Sequence, residues 1–314
     1  MQEKNKMSME GFCKCVQMDF QEMLGDRYLV NLTDIVKTNG VKRKALVILA
    51  PNQNISPTIY LEWFYQFYYE NEENDDNLKD IEMAIYKSYL ESSVNNKIDM
   101  LWFMEWSNVK EKICCKVINY NNNRELLMSI PHFHVLDLAV VFYYSFYDEA
   151  MGSGTIQIFN THLEMWGVTK EELLEVAKEN TQNLLPCVID SMMQAVKEMV
   201  EVEGLPCDTE EFLTTESPMY IVSNQQKEYG AINMLNVELL RDFANQKNKC
   251  NFWILPSSVH EVLVIPDNGT ISAAELLDMV IEVNITQVAA EEVLANSVYK
   301  FVYATGQIRL EASR

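Results

Sequence analysis

Phe252-Trp-Ile-Leu255, then Pro256-Ser-Ser258, then Val259-His-Glu-Val-Leu-Val-Ile265 read as strand, turn and strand. Two runs of aromatic and β-branched residues are separated by a turn far too short for a crossover helix, so they pair antiparallel. The pattern continues on both sides. Upstream, 219–222 and 231–234 read as strands and 237–245 as a helix. Downstream, 272–283 reads as a helix, and 298–303 with 308–310 as a hairpin closed by Thr305-Gly306. The order β-β-α-β-β-α-β-β sets the class as α+β, a mainly antiparallel mixed sheet with packed helices.

The N-terminal half carries the same mixture. Phe12, Val16, Phe20, Met23 and Leu24 fall at helical spacing and Gly25 stops them. Asn39-Gly40 marks a hairpin between strands near 28–32 and 45–49. Residues 59–69 and 80–90 read as helices, 100–104 as a short strand, and 124–130 as a short helix. Residues 136–146 have the composition of a buried strand, and 155–159 form its return after a loop at 151–154. Thr169 with Glu172 makes a capping box that opens a helix to about Leu184, and 188–202 reads as a second helix. Pro206, three threonines and a concentration of carboxylates mark 201–217 as an acidic linker. The expected division is an N-terminal α+β lobe over 1–200 with a central antiparallel hairpin, the linker at 201–217, and a C-terminal ββαββα-type lobe over 218–314.

Of 314 residues, 48% are hydrophobic and 23% charged, which suits a globular chain with a substantial core. With 25 Lys plus Arg against 46 Asp plus Glu, the formal charge is −21. Direct binding to nucleic acid or to an anionic membrane needs a basic footprint that this balance opposes. Another protein is the expected partner. No segment at the N-terminus reads as a signal peptide, and no apolar run is long enough to span a bilayer. Seven cysteines without a CxxC pair or zinc-ribbon spacing suit reduced thiols in a cytoplasm.

Three groups of residues invite chemistry. His132 and His134 would share a strand face, as would His162 and Glu164 if that segment were extended. Three imidazoles and a carboxylate could hold zinc or iron, the basis of a metal-dependent hydrolase. Ser257, Ser258, His260 and Glu261 suggest a serine hydrolase, but neighbours along one strand make a poor triad, and no Gly-x-Ser-x-Gly elbow exists. Third, Trp63, Tyr65, Tyr68 and Tyr69 lie in a helix too aromatic to bury all its rings on one side, and exposed aromatics suit a partner surface. The acidic 198–216 patch also admits a nucleic-acid mimic that fills a basic groove. No cofactor is indicated by any motif.

Five segments carry a resemblance: Asn54-Ile-Ser-Pro-Thr-Ile-Tyr-Leu61; Asn119-Tyr-Asn-x-Asn-x-Glu-Leu-Leu127 with Pro131-His-Phe-His-Val-Leu-Asp-Leu-Ala139; Asn160-Thr-His-Leu-Glu-Met-Trp-Gly-Val-Thr169 with Glu179-Asn-Thr-x-Asn-Leu-Leu-Pro186; Ile254-Leu-Pro-Ser-Ser-Val-His-Glu-Val262; and Val283-Asn-x-Thr-Gln-Val-Ala289. Together, over nearly the whole chain, they resemble a domain-of-unknown-function family of gut clostridia, of the DUF5688 kind. The resemblance implies a bacterial cytoplasmic protein and implies no reaction, cofactor or partner. The leading expectation is a non-enzymatic module that binds another macromolecule through aromatic surface. The histidine/glutamate hydrolase and the acidic mimic are the alternatives.

Overall fold

Alternating apolar runs broken by Gly, Asn and Pro pair into three antiparallel sheets in the computed structural model, which describes residues 6–51, 56–70, 75–92, 100–148, 152–195 and 219–314. The fold is α+β, as the strand order implied. The described residues group into two compact units, one drawn from 1–103 and 146–154, the other from 104–145 and 155–314.

In the first unit, helix α1 (Met9–Leu24) starts where the Ser8 hydroxyl accepts the Gly11 N–H and stops at Gly25, whose φ of 75° favours glycine. Its buried face is Phe12, Cys13, Val16 and Phe20. Strands β1 (Leu29–Val36) and β2 (Lys42–Leu49) form the expected hairpin; Asn39 and Gly40 both take positive φ at its tip. Residues 59–60 were expected to open a helix. They lie in strand β3 (Thr58–Tyr60) instead, because Ile59 pairs with Leu46 of β2 and is buried there. Helices α2 (Glu62–Glu70) and α3 (Asp75–Ser92) follow. Residues 100–104 were expected as a strand, but Met100–Phe103 is a helical turn, α4. Two glutamines of α1 satisfy the backbone of edge strand β1: Gln17 Nε2 donates to Val30 O at 3.0 Å, and Gln21 Oε1 accepts the Val30 N–H at 3.2 Å. An edge treated this way is a poor template for pairing with another chain.

The second unit is built on two sheets. The first has strand order β4-β6-β5, with β7 also pairing β6: β4 (Ile113–Asn119), β5 (His132–Val135), β6 (Leu138–Asp148) and β7 (Gly152–Gln157). The expected hairpin strand is therefore central, but Gly152 and Gly154 lie in β7 rather than in a loop. Short helices α5 (Trp106–Val109), α6 (Arg124–Leu127) and α7 (Asn160–Trp166) precede α8 (Lys170–Leu184), which opens on the expected Thr169–Glu172 capping box. Helix α8 is fastened to β4 by Thr181 Oγ1, which accepts the Cys115 N–H at 3.0 Å, and by Asn180 Nδ2, which donates to Ile113 O at 2.9 Å.

The other sheet has six strands in the order β13-β12-β10-β11-β9-β8: β8 (Cys187–Ser191), β9 (Tyr220–Asn224), β10 (Phe252–Pro256), β11 (Val262–Pro266), β12 (Ser297–Val302) and β13 (Gln307–Ser313). Helix α9 (Val237–Gln246) packs Phe243 edge-on to Tyr220 and parallel to Phe252. Helix α10 (Ala273–Thr286) covers Trp253, Leu255, Ile265 and Val298 with Leu276, Leu277 and Val280. Residues 188–191 were expected to enter a helix; their partner β9 makes them a strand. Residues 231–234 were expected as a strand and lie in the tight helical turn Gly230–Leu235. The acidic segment 201–217 lies outside the described residues. Strands β8 and β9, one on either side of it, pair antiparallel in the six-stranded sheet.

One carboxylate ties the two sheets of this unit together. Asp137 sits in the two-residue turn between β5 and β6, after Leu136 at φ 58°. Its Oδ1 accepts the Tyr299 hydroxyl at 2.7 Å and its Oδ2 accepts Ser297 Oγ at 2.6 Å. Tyr299 is fully buried, and burial together with the Asp137 charge pushes its hydroxyl pKa far up, so it remains a donor. Nearby, Asn119 Nδ2 donates to Leu294 O at 3.1 Å. No helix among the described residues is long and apolar enough to cross a membrane.

Two predictions follow from this architecture. Tyr299→Phe keeps the ring and removes the donor to Asp137; unfolding in urea should show a loss of about 1–3 kcal/mol, and an unchanged midpoint would remove this bond from the list of stabilising contacts. In the first unit, Glu82 of α3 faces Asp19 of α1, which accepts Cys15 Sγ at 3.2 Å, and Glu82 Oε1 is buried without a hydrogen-bond partner. Burial, then the hydrogen bond and charge of Asp19, push the Glu82 carboxyl up to about 7. A raised carboxyl stabilises the fold below its unfolded pKa and loses that contribution as pH rises through about 7. Melting temperature should therefore fall more for the wild type than for Glu82→Gln between about pH 5 and about pH 8, followed by circular dichroism. Parallel pH profiles would reject the raised Glu82 carboxyl.

Candidate functional site

The aromatic helix divides as helical periodicity requires. Tyr65 and Tyr68 turn inward, with ring centroids 5.6 and 5.4 Å from Phe12, and the Tyr65 hydroxyl donates to Met7 O at 3.1 Å. Tyr68 is buried. Trp63 and Tyr69 turn outward, 66% and 56% exposed. The Trp63 ring meets Phe64 edge-on at 5.0 Å and lies parallel to Phe67 at 6.0 Å, one helical turn on. Phe67 is 44% exposed and extends the outward face, which its i, i+4 spacing from Trp63 already implied. The Lys6 ammonium lies 5.0 Å from the Tyr69 ring.

The histidines are not gathered into one centre. His132 and His134 do share a face of β5, and both rings meet Tyr120, at 6.2 and 3.8 Å. His132 Nδ1 lies 3.1 Å from Ile130 O. His162 and Glu164 sit on helix α7, not on a strand, so two positions apart they point in different directions. His162 Nδ1 accepts the Phe159 N–H at 3.2 Å at the start of that helix. Burial lowers its pKa, which keeps the ring neutral and able to accept. Among the described residues, no group of three or more His, Cys, Asp or Glu side chains could hold a metal ion.

His260 lies in the turn between β10 and β11 rather than in the expected strand. Its Nδ1 accepts the Tyr229 N–H at 3.2 Å and its Nε2 lies 3.6 Å from Glu292 Oε1. The ring stacks on Tyr229 at 5.4 Å, and the Lys116 ammonium is 3.9 Å from the same Tyr229 ring. Ser258 Oγ accepts the His260 backbone N–H at 3.0 Å, and Ser223 Oγ donates to His260 O at 2.8 Å. A serine activated by a histidine needs a free imidazole nitrogen within reach of its hydroxyl; here the ring and both hydroxyls hold a chain corner instead. That corner also needs Gly230, since a Cβ there would stand 2.4 Å from Ser223 Oγ and 2.7 Å from His260 O.

Four of the described thiols are held protonated by their surroundings. Burial pushes Cys13, Cys114 and Cys187 up to about 11, and burial followed by the Asp19 hydrogen bond does the same for Cys15. A thiol rather than a thiolate therefore prevails at neutral pH. The 198–216 acidic patch on which the mimic reading rests lies outside the described residues.

The second unit also contains a groove of about 680 Å³ between α8, β5 and the corner that leads into α9. Val140, Leu174, Ile232 and Leu235 are among its apolar lining; His134, Lys178, Gln182 and Glu238 bring its polar groups. Of these the sequence had singled out only His134. The Leu174–Lys178 spacing marks one face of α8, but nothing local says what that face looks onto.

No curated protein and no solved structure matches the chain. A family model does, over residues 9–302, which is nearly all of the chain. The five segments that prompted the resemblance all lie within that match, and the chain belongs to the family of unknown function DUF5688.

Proposed function

We propose that the chain is a non-catalytic binding module that engages another protein through the outward face of α2. The observation that carries this reading is Trp63, two-thirds exposed and parallel to the exposed ring of Phe67. Leaving an indole in water forgoes roughly 1.5–3 kcal/mol that burial would supply. Trp is also the residue most enriched among those that dominate binding energy. Tyr69 borders the patch with its ring half-exposed, while Tyr65 and Tyr68 anchor the helix from beneath. The partner surface that fits is an apolar pocket with room for an indole and a phenyl ring. The engaged rings and nitrogens of His162 and His260 support binding over hydrolysis.

The test is affinity capture on the full chain, wild type against Trp63→Ala, with native mass spectrometry of what is retained. A stoichiometric protein partner that is lost at least tenfold in the variant, while melting temperature stays within a degree or so, is the expected result. If Trp63→Ala instead lowers the melting temperature by several degrees, the ring is packing and the reading fails. Tyr68→Ala serves as the contrast and should destabilise the fold by about 3–5 kcal/mol, like other large-to-small core changes.

A further inference from the structure

The groove in the second unit has the size of a small-molecule site, about 680 Å³ against roughly 300–1,000 Å³ for such pockets generally. Its lining is mostly apolar, with Phe133 as its one phenyl ring and with the His134 imidazole already stacked on Tyr120. Stacked planar ligands are held by paired aromatic faces, so this lining suits an aliphatic body. The polar groups are unequal in charge. Lys170, Leu174, Lys178 and Thr181 fall on one face of α8. Leu174, Lys178 and Thr181 line the groove, and the Lys170 ammonium stands 4.9 Å from the Phe133 ring. Thr181 is already saturated, donating to Ala177 O at 2.6 Å and accepting from Cys115.

In a chain with a formal charge of −21, Lys178 is the one Lys or Arg among the groove's lining residues. Lys170 and Lys178 each have an exposed acidic neighbour on the same helix. Glu175 Oε1 is 3.4 Å from the Lys178 ammonium, and Glu171 Oε1 is 4.0 Å from Lys170. Glu238, on the first turn of α9, is the only carboxylate among the lining residues. It opposes a second anionic group on any ligand.

We propose that this groove binds an aliphatic monocarboxylate, with its hydrocarbon chain along Val140, Leu174, Ile232 and Leu235 and its carboxylate at Lys178. The apolar lining removes the chain from water and supplies most of the affinity. The Lys178 ammonium sets the sign of the head group, and Glu238 excludes a dicarboxylate. The site is independent of the α2 face and stands or falls without it.

The experiment is calorimetric titration of the full chain with sodium dodecanoate below its critical micelle concentration. Dodecyltrimethylammonium and dodecanedioate serve as probes of charge. Saturable one-to-one binding of dodecanoate is expected, with both comparison probes at least tenfold weaker. Leu174→Trp fills the groove and should abolish binding. Lys178→Gln alters only an exposed side chain, leaves folding intact, and should weaken dodecanoate by about fivefold, the scale of a partly exposed ion pair. Absence of saturable binding overturns the proposal. So does equal binding of the cationic probe, unchanged affinity in Lys178→Gln, or binding that survives a folded Leu174→Trp.

Discussion

Asp137 accepts hydrogen bonds from Ser297 and Tyr299 at once, and the second unit is organised around that carboxylate. It sits at the tip of a two-residue turn, so the β5–β6 hairpin has one orientation in which its carboxylate meets both donors. Ser297 and Tyr299 are alternate residues of β12 and project from the same face of the six-stranded sheet. A half-buried charge that lost either donor would carry an uncompensated desolvation cost, so the two sheets are held in a single register rather than merely pressed together. Their mutual placement in turn fixes the corner at Tyr229 and the groove beside α8.

Most residues that looked reactive are part of the scaffold. His162 caps the start of a helix, His260 holds a chain corner, and Ser258 and Ser223 satisfy backbone groups. The reason is common to all of them: imidazoles and hydroxyls are the side chains best able to meet backbone donors and acceptors where regular structure stops. The charges follow the opposite rule. Most of the described ion pairs are exposed, as with Lys14–Glu10 and Lys87–Glu91, and contribute little to stability. Lys300–Asp267 is the exception, mostly buried at 2.7 Å with the ammonium 4.2 Å from the Trp253 ring.

Where local signals are strong, elements were legible in advance. The Asn39-Gly40 hairpin, the Thr169–Glu172 capping box, the helix from Ala273 and the β12–β13 hairpin all lie close to where their residues place them. The segments expected as helix and found as strand share one cause. Ile59, Val188 and Ile189 satisfy both helical and extended patterns, and each is a strand because a distant partner strand pairs with it. His162 and Glu164 would share a face only on a strand, and capping chemistry at Phe159 made the segment a helix.

By itself the sequence determined the fold class and the antiparallel pairing of strands joined by short turns, because turn chemistry and periodicity are local properties; the family came from the resemblance of five segments. It also determined that the aromatic helix must leave some rings outside. Only the tertiary structure decided that Trp63 and Phe67 are those rings, that the histidines stay apart, and that α8 turns Leu174 and Lys178 onto a groove. Those outcomes depend on which elements pack against which. That is set by long-range hydrogen bonds and burial, such as Asp137 with Tyr299 and Thr181 with Cys115, which leave no spacing pattern to read.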